Sequence, residues 1–161
     1  MIVHEMTRLE CAAVLSASRL GRLGCAKGGQ PYVVPIHFAF ADHLIYSFSM
    51  PGQKVDWMRE NPLVCIEVNE PGNNREWRSV VINGLFEELT DTPQWQHGRE
   101  HAWFLLSRHV DWWEPGALKP TDPMPTAQPI ADKSPHLFYR IRIETMTGRR
   151  CVEEHLPTLP T

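Results

Sequence analysis

The sequence predicts a mainly β (α+β) fold, a small antiparallel barrel of six strands with helices packed on its outside. Most of the chain consists of short apolar and polar alternations separated by turns that contain Gly, Asn or Pro, which is typical of antiparallel strands. Strands and helices do not alternate regularly, so a doubly wound parallel sheet is excluded. With 161 residues the chain has the length of a single domain, 1–161.

Six strands are predicted to form the barrel, over about residues 19–90 and 136–147. The longest contains Gly84, where we expect a β-bulge. An insertion over about residues 92–135 separates the two parts. The predicted strands are Leu23–Lys27, Tyr32–Ala41, Leu44–Ser49, Leu63–Val68, Trp77–Leu89 and His136–Met146.

Three helices are predicted outside the barrel. Thr7 and Glu10 have the spacing of a capping box at the start of the first helix, and Pro62 ends the second. The Pro-rich stretch 119–135 that follows the third is expected to be an extended loop. The predicted helices are Thr7–Ala17, Gln53–Asn61 and Pro93–His109.

Composition limits the class of partner. Lys and Arg number 16 against 19 Asp and Glu, the net charge is −3, and no run of five like charges occurs. Duplex nucleic acid and anionic membranes need a basic patch, so neither is expected and a small molecule is the expected partner. No apolar stretch reaches the roughly 18 residues of a membrane span, and the first residues do not resemble a signal peptide. We therefore expect a cytoplasmic protein.

No metal site is predicted. The cysteines are far apart and form no C-x-x-C pair, so buried, reduced thiols are expected. His97, Glu100 and His101 match H-x-x-E-H, a zinc-peptidase pattern. A surface helix with two histidines is favoured instead. Gly98 lies within the helix, no predicted helix carries a third ligand, and the chain is short. The four cysteines are Cys11, Cys25, Cys65 and Cys151.

The stretch that joins the third strand to the second helix has the composition of an anion site. Ser47 and Ser49 face the same side of a strand, a Pro-Gly turn follows, and Lys54 lies in the first turn of the helix. The helix N-terminus and the lysine can together hold a phosphate. The alternative is a solvated lysine at the surface.

The order of several motifs resembles the pyridoxamine 5'-phosphate oxidase-related flavoproteins, and in particular their nitroimidazole-resistance reductase branch. The resemblance is clear over about residues 5–90 and extends to the last strand, which ends in M-T-G-R. The motifs are Q-P-Y-V-V-P-I-H-F, L-I-Y-S-F-S, P-G-Q-K, N-P-x-V-C-I-E-V and W-R-S-V-V-I-N-G-x-F-E-E-L.

This resemblance implies a Greek-key split β-barrel that binds FMN at the interface of a homodimer. Lys54 would hold the phosphate; Gln53 stands where the parent enzyme has an arginine, so Ser49 or an arginine from elsewhere would assist. The strand around His37 would lie along the flavin ring. The residues implied to bind the cofactor are Val34, Pro35, Ile36, His37, Tyr46, Ser47, Ser49, Lys54, Trp77, Arg78, Ser79 and Trp112.

Two residues have a second interpretation. His37 is the candidate proton donor to reduced substrate, but an isolated histidine on an apolar strand is also typical of a hydrogen-bonded core residue. Trp112 is expected at the ligand pocket or the dimer seam, because tryptophan stacks on flat rings and favours interfaces. Trp103 and Phe104 are expected in the core.

The resemblance implies an FMN-dependent oxidoreductase that takes a hydride from reduced nicotinamide and reduces a small aromatic acceptor, such as a nitro compound or a quinone. The alternative is a non-catalytic module that holds a flavin, a deazaflavin or haem. Oxidation of pyridoxamine phosphate itself is disfavoured, because the chain end, 153–157, lacks the arginine of the parent enzyme's R-L-x-P motif.

Overall fold

The computed structural model describes residues 1–72, 75–108 and 136–153. They form eight strands, three α-helices and one 3-10 turn. In chain order these are β1 Ile2–Glu5, α1 Arg8–Ala17, β2 Leu20–Lys27, β3 Gln30–His37, β4 Ala39–Ala41, β5 Leu44–Ser49, α2 Gln53–Glu60, β6 Leu63–Pro71, β7 Trp77–Leu89, the 3-10 turn Pro93–Trp95, α3 Gln96–Leu106 and β8 Leu137–Val152.

The strands form one antiparallel sheet in the order β3-β2-β6-β7-β8-β5-β4, and β1 pairs with the end of β8. Strands β3 and β4 lie at the two ends of this order, so the barrel is split and not closed. The predicted mainly β, antiparallel split-barrel class is confirmed. Helix α1 also begins as predicted, because the Thr7 N–H donates to Glu10 Oε2 at 2.7 Å and the Glu10 N–H donates to Thr7 Oγ1 at 3.3 Å.

The described residues contain eight strands where six were predicted. The predicted strand Tyr32–Ala41 is interrupted at Phe38, whose N–H donates to Arg19 O at 2.9 Å while β4 turns to pair with β5. Strand β8 continues past Met146 to Val152 and thereby provides a pairing edge for β1. All four residues of β1 are exposed, so no alternation in the sequence indicated it.

Two apolar clusters stabilise the barrel. The main one fills its interior and is closed by Cys11, Val14 and Leu15 of α1. The second lies between β5, β8 and α3. Burying a large apolar side chain contributes about 1.5–3 kcal/mol, so these clusters provide the main favourable term in folding. Members of the second cluster include Tyr46, Phe48, Leu89, Ala102, Leu105, Leu106 and Phe138.

Gly84 marks the predicted bulge in the long β7–β8 pair. Asn83 pairs with Thr145 and Gly84 with Ile143, so Glu144 has no partner residue on β7. A Cβ at Gly84 would lie 2.5 Å from Arg142 O, closer than packed atoms approach. The absence of a side chain therefore allows the two backbones to meet here.

Replacing Gly84 by alanine should lower the free energy of unfolding by about 1–3 kcal/mol, because the added methyl group has no space beside the Arg142 carbonyl. Urea denaturation measures the change. Gly52→Ala is the control, because nothing lies within 4 Å of a Cβ at that position, and it should change stability by less than about 0.5 kcal/mol. Equal midpoints for the two variants would contradict the packing argument.

Candidate functional site

Lys54 is a half-buried cation in the first turn of α2. Burial lowers the pKa of its amine, an effect that the neighbouring Cys25 thiol partly opposes. Within the described residues no carboxylate lies within 4 Å of Lys54 Nζ, whereas Lys27 Nζ is 2.6 Å from Glu60 Oε1. A desolvated ammonium group without a counter-ion favours binding of an anion at this point.

The N-terminus of α2 adds to that preference. Its N-cap residue is Gly52, which provides no side-chain oxygen to accept from the first N–H groups. The first hydrogen bond inside the helix runs from the Asp56 N–H to Gly52 O at 3.1 Å. The preceding N–H groups and the helix dipole are therefore available to a phosphate next to Lys54.

Ser47 and Ser49 lie on one side of β5, as predicted, and both are buried. Ser47 Oγ donates to His37 O at 2.6 Å, and Ser49 Oγ donates to Met50 O at 2.8 Å. Both hydroxyl protons are therefore used within the protein, and only the oxygen lone pairs remain available. Binding of the cofactor by these two serines stays a prediction.

The four candidates on β3 divide between its two faces. Val34 and Ile36 point into the barrel, and Ile36 is 4% exposed. Pro35 is exposed on the outer face, and His37 is half-buried at the end of the strand. The hydrogen bond from Ser47 connects this end of β3 to β5, so the structure brings His37 and Ser47 together.

Tyr46 faces the opposite side of β5 from Ser47. Its ring belongs to the second apolar cluster and makes an edge contact with His101, with 5.3 Å between ring centroids. Burial raises the pKa of its phenol, and the positive charge of the nearby Arg140 partly offsets this. The structure thus places Tyr46 beneath α3 and away from Ser47, and its predicted contact with the flavin remains a prediction.

The three candidates at the start of β7 also divide by alternation. Trp77 and Ser79 point to the outer face of the sheet, and Trp77 is 37% exposed. Ser79 Oγ donates to Glu67 Oε1 at 3.3 Å. Arg78 points to the other face, where its guanidinium lies 2.9 Å from Glu70.

The remaining aromatic candidates have mixed outcomes. Trp112 and the Pro-rich stretch 119–135 lie outside the described residues. Trp103 packs against the second apolar cluster, as expected. The core assignment of Phe104 was wrong, because this ring is 54% exposed and lies under the Arg108 guanidinium at 4.4 Å.

The zinc-peptidase alternative finds no support in the structure. The His97 side chain is almost fully exposed, and its Nδ1 atom lies 3.6 Å from Glu100 Oε2. His101 packs on Tyr46 instead of facing His97 across an open site. The described residues contain no group of three side chains able to hold a metal ion. All four thiols are unpaired, but Cys65 is exposed and does not follow the prediction of a buried thiol.

Sequence reasoning missed an apolar surface on the outer face of β2, β3, β6 and β7. Strand register and alternation place five exposed large apolar side chains on this face, which we call the outer face. The available signal was that β3 and β6 carry apolar residues at both alternating positions, which is typical of strands covered on both sides. The five are Leu20, Val33, Leu63, Trp77 and Val81.

Comparison with known proteins agrees with this architecture. A family model described as pyridoxamine 5'-phosphate oxidase matches residues 7–150. The chain belongs to this family. A protein of Rhizobium meliloti without an assigned function is 46% identical over 149 residues, covering 92% of this chain and 95% of its own length.

Solved structures related to this pyridoxamine phosphate oxidase family member extend the comparison. A protein from Mesorhizobium loti, described as FAD-binding, is 49% identical with a TM-score of 0.77, covering 94% of this chain and all of the other. A protein of Bacteroides thetaiotaomicron assigned to 5-nitroimidazole resistance is 18% identical, with a TM-score of 0.69 and coverage of 92% and 87%. At that identity the likeness shows the fold alone. The predicted family resemblance is confirmed.

The site of this family member fits the phosphate of a flavin. A half-buried lysine that has no counter-ion among the described residues and an uncapped helix N-terminus are groups that bind a phosphate. The neutral Gln53 beside Lys54 is exposed, so the lysine provides the positive charge of this helix turn alone.

Replacing Lys54 by methionine should weaken binding of FMN by about 10- to 100-fold, the loss of one charge-assisted hydrogen bond of about 1.5–3 kcal/mol. Riboflavin, which has no phosphate, should bind equally well to both proteins. Calorimetric titration measures both affinities. Lys27→Met is the matched control, because that lysine is exposed and paired with Glu60. Equal losses for FMN and riboflavin would remove the phosphate role.

The same variant should be more stable than the wild type when no flavin is bound. Burial lowers the pKa of Lys54 below that of the unfolded chain, so the unfolded chain binds the proton more tightly. At neutral pH the charged, half-buried amine therefore lowers the free energy of unfolding of the wild type by its full amount. This loss of stability disappears as pH rises into the range where lysine titrates. A thermal midpoint about 1–3 °C higher for Lys54→Met at pH 7, and a smaller difference at pH 10, are expected.

Proposed function

We propose that this chain is a flavin-dependent oxidoreductase. The observation that carries the proposal is the half-buried Lys54 amine at the uncapped N-terminus of α2, with no carboxylate within 4 Å among the described residues. Such an arrangement favours a phosphate, and a relative of this chain is described as FAD-binding. The predicted cofactor is FMN, and the same site would accept the FMN moiety of a larger flavin. No helix in the described residues has the length and apolarity needed to cross a membrane.

Different parts of the chain are proposed to contact different parts of the cofactor. Lys54 and the first N–H groups of α2 bind and orient the phosphate. Among the strands that the structure describes, β3 pairs with β2 alone, so its outer edge leaves backbone groups available to the ring. When bound, the flavin supplies the hydride chemistry that connects a reduced nicotinamide donor with a small aromatic acceptor.

His37 is proposed to supply a proton to the reduced acceptor. It lies at the end of β3, half-buried, and the Ser47 hydroxyl holds its backbone carbonyl at 2.6 Å. A histidine held at a fixed backbone position can donate a proton near neutral pH without movement of the chain. The buried Tyr139 phenol is unsuited to this task, because burial raises its pKa to about 12.

We expect the purified protein to oxidise NADH or NADPH with a nitroaromatic or quinone acceptor faster than free flavin does at the same concentration. His37→Asn should lower kcat by about 10- to 100-fold, because a proton donor is lost. Steady-state kinetics with a panel of acceptors measures both. His97→Asn is the control, because that side chain is almost fully exposed on α3.

A bound flavin without turnover for any acceptor would favour the non-catalytic binding module instead. A protein that neither contains nor binds flavin would remove both functions. Unchanged kcat in His37→Asn would leave the oxidoreductase in place and assign its proton transfer to another group.

The chain is also proposed to form a homodimer through the outer face, with the flavin at the interface. Exposed apolar side chains concentrated on one face of a sheet are typical of a protein–protein contact. Val33 is 63% exposed and Leu63 is 62% exposed, and both lie on this face.

Val33→Glu should shift the protein from dimer to monomer, because two carboxylates would then enter an apolar interface. Sedimentation velocity at about 10 μM measures the oligomeric state. Leu9→Glu is the matched control, because Leu9 is 84% exposed on α1 and lies off the outer face. A wild-type monomer, or a Val33→Glu dimer of unchanged affinity, would contradict an interface at this position.

A further inference from the structure

The end of β3 is tied to β5, a strand with which it forms no sheet pair among the described residues. The sheet order places β3 at one end and the β5–β4 hairpin at the other, so the split of the barrel lies between them. Ser47 on β5 donates from its hydroxyl to the backbone carbonyl of His37, the last residue of β3, at 2.6 Å. This hydrogen bond crosses the split and holds the end of β3 against β5.

The surroundings of Ser47 favour a specific role for this bond. Its side chain is 0% exposed, and its register partner on β8 is the fully buried Tyr139. The Tyr139 ring in turn packs against Phe86, with 5.4 Å between ring centroids. An alanine would fill this position in the core about as well, whereas a buried hydroxyl must be hydrogen-bonded to offset its loss of water. Ser47 meets that requirement at the His37 carbonyl, and the packed neighbours hold its rotamer.

The bond lies at the point from which the His37 ring is directed to the outer face. Leu20 pairs with His37 at the end of the β2–β3 ladder and is exposed on the outer face, so the His37 side chain lies on that same face. The preceding residue, Ile36, points into the barrel. The N–H of the next residue, Phe38, donates to Arg19 O at 2.9 Å. The backbone around His37 is thus held from the start of β2 on one side and from β5 on the other.

We propose that Ser47 is a positioning residue for His37: its hydroxyl holds the end of β3 so that the imidazole reaches the acceptor at the outer face. The inference rests on the proposed function, in which His37 supplies the proton. A displacement of about 1 Å can lower the rate at a positioned group by up to about 100-fold, so one bond to the His37 backbone is enough to affect turnover. Ser47 acts through the chain, because its own proton is held by the His37 carbonyl.

The test is the steady-state kinetics of the flavin-loaded, full-length protein at saturating flavin, with NADH and a quinone or nitroaromatic acceptor. Ser47→Ala should lower kcat by about 5- to 30-fold and leave KM for the acceptor within about threefold, because the proton donor is displaced while the acceptor still binds. Ser47→Thr retains the hydroxyl donor and should keep kcat within about threefold of the wild type.

A double variant separates positioning of His37 from a general effect on the fold. If Ser47 acts through His37, adding Ser47→Ala to His37→Asn should lower kcat by less than about twofold further. A serine that merely supported the barrel would lower kcat by the same factor in both backgrounds.

Ser107→Ala is the matched control. The Ser107 hydroxyl also donates to a backbone carbonyl, that of Phe104 at 3.3 Å, but it does so at the end of α3. This variant should keep the wild-type kcat. Thermal midpoints check that each variant is folded. The alanine and double variants decide by themselves if the added methyl group of threonine does not fit the buried position.

Each contrary result has a distinct meaning. An unchanged kcat in Ser47→Ala, with a lowered kcat in His37→Asn, would overturn the inference and leave the oxidoreductase intact. A lowered flavin affinity with unchanged kcat at saturating flavin would also overturn it, because Ser47 would then contact the cofactor. Equal loss of kcat in both backgrounds would reduce Ser47 to a structural residue. A wild type without turnover, or an unchanged kcat in His37→Asn, would remove the proposed proton transfer by His37 and the inference with it.

Discussion

The pairing of β7 with β8 organises the rest of the molecule. Strand β8 also pairs with β1 and β5, and β7 also pairs with β6, so the sheet extends from this ribbon in both directions. The ribbon contains a bulge, which bends the strand and increases its local twist. Gly84 permits the bulge by leaving space for the Arg142 carbonyl, and the same irregularity directs Glu144 to the outer face. A constraint on backbone packing thus also determines the direction of the Glu144 side chain.

The charged side chains of the protein differ in their burial and in their partners. Most ion pairs among the described residues are at the surface, such as Arg22 with Glu67 and Lys27 with Glu60, and exposed pairs of this kind contribute roughly 0–1 kcal/mol each. Lys54 differs, because it is partly desolvated and has no acidic partner among the described residues. Such a group lowers stability in the free protein and contributes binding energy when an anion is present. This trade between stability and activity is common at functional sites.

Alternation along strands separates the candidate residues into two sets. Ile36 and Ser47 point into the barrel and support its interior, where their side chains act through packing and a hydrogen bond to the backbone. Pro35, Trp77 and Ser79 point outwards, toward the face that carries the exposed apolar side chains. A ligand at this face can contact the outward-pointing side chains directly, whereas the inward-pointing side chains affect it only by holding the backbone in place. Of two residues adjacent in sequence, one can therefore contact the proposed cofactor with its side chain while the other cannot.

The sequence by itself determined the fold class, the strands Leu44–Ser49 and Trp77–Leu89, the capping box at Thr7 and the bulge at Gly84, because each follows from local periodicity or local backbone geometry. It also placed Lys54 in the first turn of a helix. Only the tertiary structure decided that Lys54 is partly desolvated with no counter-ion among the described residues, and that Phe104 is exposed while Tyr46 is covered by α3. The apolar outer face was also decided by tertiary pairing, because β2, β3, β6 and β7 come from different parts of the chain. Burial and the absence of a partner depend on which distant elements pack together, and no short stretch of sequence encodes that.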